Sequence, residues 1–171
     1  MEKTFFSTRW KQKSNEWLSK AILDTEKLRN VETEFINREI KYFFEKFNHA
    51  DTDESEWYNE YIATDENVKI KFETIANNAK ITTDNVSFLP ISLKYSLGLL
   101  TGIIVMVITK CLGVTIFRSL LIGAFAGIMV HYFIGNFQNK ANKRKAKTLT
   151  DNVKQQLEET HKNIIEQCNL N

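Results

Sequence analysis

Residues 90–137 read PISLKYSLGLLTGIIVMVITKCLGVTIFRSLLIGAFAGIMVHYFIGNF. This stretch of 48 residues holds no Asp or Glu and three basic residues, and it contains all six glycines of the chain. One helical crossing of a bilayer needs about 20 apolar residues, so the stretch fits two crossings and is too long for one. It predicts an integral membrane protein whose two transmembrane helices, about Pro90–Cys111 and Thr115–Phe137, form a hairpin turned near Gly113.

Two basic residues flank the predicted turn. Lys110 ends the first crossing and Arg118 begins the second, so both side chains are expected to reach the headgroups at one membrane face. An alternative places Arg118 inside the second crossing, where a charge marks a functional site. His131, between Val130 and Tyr132, is interpreted as part of an aromatic belt at the membrane interface, with a titrating or pore-lining role as the alternative.

Each predicted crossing carries a G-x-x-x-G motif, formed by Gly98 and Gly102 in the first and by Gly123 and Gly127 in the second. Small residues four positions apart let two helix backbones approach closely, which is how helices associate in lipid. The motifs predict either packing of the two crossings within one chain or contacts between copies in a homo-oligomer. The sequence leaves both open.

A basic run follows the second crossing directly. It consists of Lys140, Lys143, Arg144, Lys145 and Lys147. Basic residues beside a membrane segment favour the cytoplasmic side, so with two crossings both termini are expected in the cytoplasm. Specific binding of anionic lipid is an alternative role for the run. The sequence does not distinguish a bacterial inner membrane from a eukaryotic organelle membrane.

The remaining sequence predicts a cytosolic helical bundle. Apolar residues recur at helical spacing over residues 7–49, without Gly or Pro, and predict one long helix. Asp53 with Glu56 resembles a capping box at the start of a second long helix that reaches about Lys80. The two are expected to form an antiparallel hairpin.

A third cytosolic helix is predicted after the basic run, where apolar residues recur every three or four positions from Leu149 to Cys168. The predicted fold class is therefore all-α, with three parts. Residues 1–89 form the N-terminal helical hairpin, residues 90–137 the transmembrane hairpin, and residues 138–171 the basic segment with its amphipathic helix.

Composition and motifs argue against several function classes. The first 90 residues hold 13 basic and 17 acidic groups, the opposite of the positive patch that nucleic-acid binding needs. Cys111 and Cys168 lie far apart and have no metal-ligand spacing with the histidines. No nucleophile elbow, phosphate-binding glycine loop or zinc motif occurs. We therefore predict no enzyme activity, no cofactor, no metal and no nucleic-acid partner.

The predicted function is that of a non-enzymatic, membrane-anchored helical interaction, adaptor or assembly protein that acts through its cytosolic helices. Its predicted partners are the lipid bilayer, further copies of the chain, and a protein bound by exposed parts of an aromatic stripe. The stripe consists of Trp10, Trp17, Phe43, Phe44, Phe47 and Trp57.

Two alternatives belong to other classes. One is an oligomeric pore- or channel-forming two-transmembrane effector, and the layout resembles small two-transmembrane effectors of bacterial nucleotide-signalling defence systems, without a shared motif. The other is a membrane-shaping hairpin, which needs crossings too short to span.

Overall fold

The computed structural model describes residues 2–21, 33–83, 89–90 and 92–170. Every regular element in these ranges is helical, which confirms the all-α class. The helices are α1 (Phe5–Ala21), α2 (Thr33–Glu45), α3 (Asp53–Tyr61), α4 (Glu66–Asn78), α5 (Ser92–Cys111) and α6 (Ile116–Gln167), and a 3₁₀ turn (Lys46–Asn48) follows α2.

The chain forms two compact units. The first comprises the described parts of residues 1–86 and 146–171, and the second those of residues 87–145. The boundary falls within α6, so this helix contributes to both units. Of the predicted third part, residues 138–171, the described residues from 146 onward belong to the same unit as α1–α4, and residues 138–145 belong to the second unit.

The single long helix predicted over residues 7–49 is wrong. The ring centroids of Trp10 and Phe43 lie 5.4 Å apart, whereas one continuous helix would separate these residues by about 50 Å. α1 and α2 are therefore distinct helices that pack face to face. Residues 22–32, which the prediction placed in the middle of that helix, lie outside the described residues.

The second predicted helix is also two helices. α3 ends at Tyr61, and the Asp65 side chain accepts hydrogen bonds from the backbone N–H groups at the start of α4. Asp65 is thus the N-cap of a new helix. The N-cap of α3 is Thr52, in a capping box with Ser55, one residue before the predicted cap at Asp53.

The break predicted after Phe137 is absent, because α6 is one helix of 52 residues from Ile116 to Gln167. No Gly or Pro follows Gly135, and the Lys, Ala, Arg and Gln residues of the basic run are good helix formers. A change from apolar to charged composition marks a change of environment and does not by itself end a helix.

An aromatic core holds the first unit together. Phe6 is fully buried, and its ring lies within about 6 Å of the rings of Trp10, Phe43, Phe47, Trp57, Phe72 and His161. α6 adds Leu149, Val153, Leu157 and Ile164 to this core. Aromatic residues contribute the largest buried areas in protein cores, so this cluster is the main stabilising feature of the unit.

The predicted partner surface needs exposed parts of the aromatic stripe, and the structure leaves little of the stripe exposed. All six residues of the aromatic stripe are buried, and the most accessible of them, Phe44, is 7% exposed. The stripe closes the core of the first unit, and none of its six side chains is exposed.

Candidate functional site

The second unit presents an apolar surface. Within the described ranges, all exposed large hydrophobic side chains except Tyr42 and Ile70 lie between Tyr95 and Phe137. α5 and α6 each contain an apolar segment with a mean hydropathy of 1.7. Only 6% of each segment is buried. Both helices are thus long and apolar enough to cross a membrane.

The four motif glycines meet between α5 and α6 of one chain. A methyl group on Gly123 would lie 2.5 Å from the carbonyl oxygen of Gly102, and one on Gly127 would lie 2.8 Å from that of Gly98. Only glycine permits this approach, because each added atom would collide with backbone. Of the two alternatives for these motifs, the structure contains the packing within one chain, and contacts between copies stay a prediction.

An apolar groove of about 650 Å³ runs beside the glycine contact and is named here the α5–α6 groove. Its lining contains the four glycines and is otherwise apolar except for Tyr95 and His131. The rings of these two residues lie 4.7 Å apart, and the Lys94 Nζ lies 5.1 Å from the Tyr95 ring centroid. Polar groups therefore occur only at one end of the groove.

The opposite end of the helix pair carries the turn. Lys110 lies in the last turn of α5, Arg118 in the first turn of α6, and both are exposed. Gly113 between them has a φ of +83°, a conformation that favours glycine. The structure thus brings Lys110 and Arg118 to one end of the second unit, and neither lies in the middle of a helix.

The basic run lies on α6. Lys140, Lys143, Arg144 and Lys147 are exposed and Lys145 is half-buried. None of the five lines the α5–α6 groove that contains the motif glycines.

Sequence reasoning missed two buried amides, Gln138 just before the basic run and Asn142 within it. The Asn142 side chain accepts a hydrogen bond from the Leu89 N–H (3.1 Å) and donates one to the Leu89 carbonyl (3.3 Å), and Gln138 donates to the Pro90 carbonyl (2.9 Å). They fix the backbone that leads into α5. The available signal was the spacing of Gln138 and Asn142, which lie four positions apart and therefore on one face of a helix.

Amide side chains pair with backbone groups in the same way in the first unit. Asn37 accepts from the Ile81 N–H (2.7 Å) and donates to the Ile81 carbonyl (3.0 Å). Gln156 accepts from the Thr82 N–H (2.9 Å) and donates to the Thr82 carbonyl (2.7 Å). Amide side chains thus satisfy backbone groups that no helix or sheet would otherwise pair.

A cleft of about 600 Å³ lies between α2 and α4 and is named here the α2–α4 cleft. Phe44 and Phe72 give it an apolar floor, and Lys41, Asn77 and Lys80 are among its polar lining. Tyr58 also lines it and donates a hydrogen bond to Glu73 (2.8 Å). Burial and this hydrogen bond raise the pKa of Tyr58, so the phenol stays protonated.

A smaller cavity of about 350 Å³ lies between α1 and α6. His161 lines it, with its Nε2 3.0 Å from the Ser7 hydroxyl. Burial, and secondarily the charge of Lys11, lower the pKa of His161. The imidazole is therefore neutral at pH 7, and its ring stacks on that of Phe6.

No constellation for metal binding occurs in the described ranges, where no three His, Cys, Asp or Glu residues come together. Cys111 is exposed and Cys168 is buried, and both are free thiols. Burial raises the pKa of the Cys168 thiol, which lowers its reactivity.

Comparisons of the chain with protein-family models, with curated proteins and with solved structures give no match. What the chain does therefore follows only from its own residues and their geometry.

Proposed function

We propose that the chain is a two-pass integral membrane protein, with both termini in the cytoplasm, that acts without catalysis as a membrane-anchored helical interaction or assembly protein. The observation that carries this proposal is the distribution of exposed apolar side chains. Nearly all of them lie on α5 and the first part of α6, and a patch of that size is unfavourable in water.

The orientation is supported by charge. Five basic residues follow the second apolar segment between Lys140 and Lys147, whereas the turn has only Lys110 and Arg118 nearby. The excess of basic residues favours the cytoplasmic side for Lys140–Lys147. Two crossings then return both termini to that side.

The interaction role is supported by the α2–α4 cleft. It combines an apolar floor with charged and amide groups at its edge, which is the composition of protein–protein interfaces. We infer that a partner binds in this cleft, whose lining includes Phe44 and Phe47 of the aromatic stripe.

A pore is less well supported than an anchor. The Thr109 hydroxyl donates to backbone carbonyls of its own helix, and Ser119 is 1% exposed. These polar groups are therefore used within the helix pair and do not offer the polar face that a water-filled channel requires.

The anchor is tested by extraction. The chain should stay in the membrane pellet through an alkaline carbonate wash and dissolve only in detergent. Recovery in the carbonate supernatant would overturn the membrane proposal. The mass of the detergent-solubilised particle then separates the classes, since a monomer or dimer of the 19.9 kDa chain supports an anchor and a discrete ring supports a pore.

The partner surface is tested by photo-crosslinking on α4. Asn77 lines the α2–α4 cleft and Asn67 does not, and both are exposed. A photoreactive amino acid at position 77 should give a protein adduct in cells, and the same group at position 67 should give none. Equal adducts at both positions, or no adduct at either, would overturn the assignment of the cleft.

A further inference from the structure

We propose that the α5–α6 groove binds one acyl chain of an anionic phospholipid from the cytoplasmic leaflet, with the phosphate at Lys94, Tyr95 and His131. The inference rests on the proposed membrane crossing. It adds a defined lipid site to what is otherwise a general contact with the bilayer.

The shape of the groove fits a chain of one leaflet. The lining residues of α5 run from Tyr95 to Met106, which spans about 16 Å of helix. The hydrocarbon core of a bilayer is about 30 Å thick, so the groove covers one half of it.

Glycine supplies four of the lining positions of the groove, Gly98, Gly102, Gly123 and Gly127, where the backbones of α5 and α6 are in close contact. These positions add no side-chain volume. Its volume of about 650 Å³ lies within the range of small-molecule sites, about 300–1,000 Å³.

The polar groups match an anionic headgroup at one end. Tyr95 and His131 line that end, and the Lys94 ammonium lies over the Tyr95 ring. The sequence has no Asp or Glu between Asp84 and Asp151, so no carboxylate of this segment competes for these groups. Because α5 begins at Ser92, the proposed topology puts this end at the cytoplasmic headgroups.

The test is native mass spectrometry of the full chain in detergent, after exchange with phosphatidylglycerol or phosphatidylcholine. We expect one retained phosphatidylglycerol per chain and weaker retention of phosphatidylcholine. Lys94→Gln should lower that preference about fivefold, the factor corresponding to about 1 kcal/mol per basic residue near an anionic surface.

A matched pair of variants tests the groove itself. Ile103 and Ile104 are each 48% exposed, but only Ile103 lines the groove. Ile103→Trp should abolish lipid retention, and Ile104→Trp should leave it unchanged.

Three results would overturn the proposal. The first is equal lipid retention by Ile103→Trp and the unchanged chain, and the second is equal retention of the two lipids. The third is a lipid-free dimer that Ile103→Trp converts to a monomer, which would assign the groove to a second copy. A chain that resists carbonate extraction yet retains no lipid contradicts only this inference. A chain released by carbonate contradicts the membrane proposal as well.

Discussion

Phe6 lies at the centre of the aromatic core of the first unit. It is fully buried and contacts rings from α1, α2, α3, α4 and α6. Phe6→Ala should lower the free energy of unfolding of this unit by about 3–5 kcal/mol, because it removes buried area and leaves a cavity. Denaturant titration followed by tryptophan fluorescence measures this change.

Tyr42→Ala is the control for Phe6→Ala. Tyr42 is 53% exposed, and surface substitutions usually change stability by less than about 0.5 kcal/mol. Equal losses for the two variants would contradict the assignment of Phe6 to the core.

The lowered pKa of His161 predicts that the stability of the first unit depends on pH. Its pKa is lowered in the folded state from 6.5, first by burial and then by Lys11, so below pH 6.5 the unfolded state binds more protons. The contribution of His161 to the free energy of unfolding should therefore be complete above pH 6.5. It should decrease as the pH falls toward the folded-state pKa.

Unfolding of the unchanged chain and of His161→Gln at several pH values measures this effect. The variant should lose the slope between pH 6.5 and the folded-state pKa. Glu16, whose pKa is lowered to about 2 by Lys13 and Lys20, titrates below pH 4.5 and does not obscure it. An unchanged slope in His161→Gln would assign the effect to other groups.

The contact between α5 and α6 depends on particular glycines. A methyl group on Gly123 would lie 2.5 Å from the Gly102 carbonyl oxygen, whereas one on Gly135 would meet nothing closer than 3.5 Å. Gly123→Ala should destabilise the helix pair by about 1–3 kcal/mol. Gly135→Ala should be neutral or stabilising by up to about 1 kcal/mol, because alanine favours helix.

Thermal unfolding in detergent, together with crosslinking, measures both glycine variants. Loss of folded protein in Gly123→Ala with unchanged crosslinking indicates packing within one chain. Loss of an oligomer with unchanged thermal stability would instead assign the glycines to contacts between copies.

The hydrogen bonds of Asn142 should stabilise the backbone that leads into α5. Asn142→Ala leaves the N–H and carbonyl of Leu89 without their side-chain partner, which should lower stability by about 1–3 kcal/mol. Asn139 is exposed, and Asn139→Ala should change stability by less than about 0.5 kcal/mol. Thermal unfolding in detergent compares the two, and equal midpoints would contradict a structural role for Asn142.

At the scale of elements, the sequence predicts those helices whose position depends on the length of an apolar run and on local chemistry. The apolar run predicts α5 to within two residues at its start, and it predicts α6 to begin one residue away from its observed start. The sequence does not predict the separation of α1 from α2, because one stripe of apolar residues fits both a long helix and two helices that share a core. Tertiary packing decides between them.

The site was only partly predictable for a similar reason. G-x-x-x-G motifs identify the glycines, because their chemistry is local. The amide pairs of Asn142 with Leu89 and Asn37 with Ile81 join residues more than 40 positions apart, and no local pattern identifies such partners. The aromatic stripe shows the same limit, because apolar periodicity does not distinguish a core from a partner surface.

At the scale of the whole molecule, the two units differ in what they expose. The first unit buries its aromatic residues, whereas the second leaves large apolar side chains exposed along α5 and α6. This difference is the basis for our proposal that the second unit lies in the bilayer and the first in water, and the proposed cytoplasmic side rests on the basic run.

The two native cysteines test this central claim most directly. Cys111 ends α5 at the turn and is exposed, whereas Cys168 is buried in the first unit. In sealed cells, a membrane-impermeant maleimide should label Cys111 in a Cys168→Ser variant. A cysteine introduced at exposed Lys162, in a chain lacking both native cysteines, should react only after lysis. Labelling of position 162 in sealed cells, or of Cys111 only after lysis, would contradict two crossings with cytoplasmic termini.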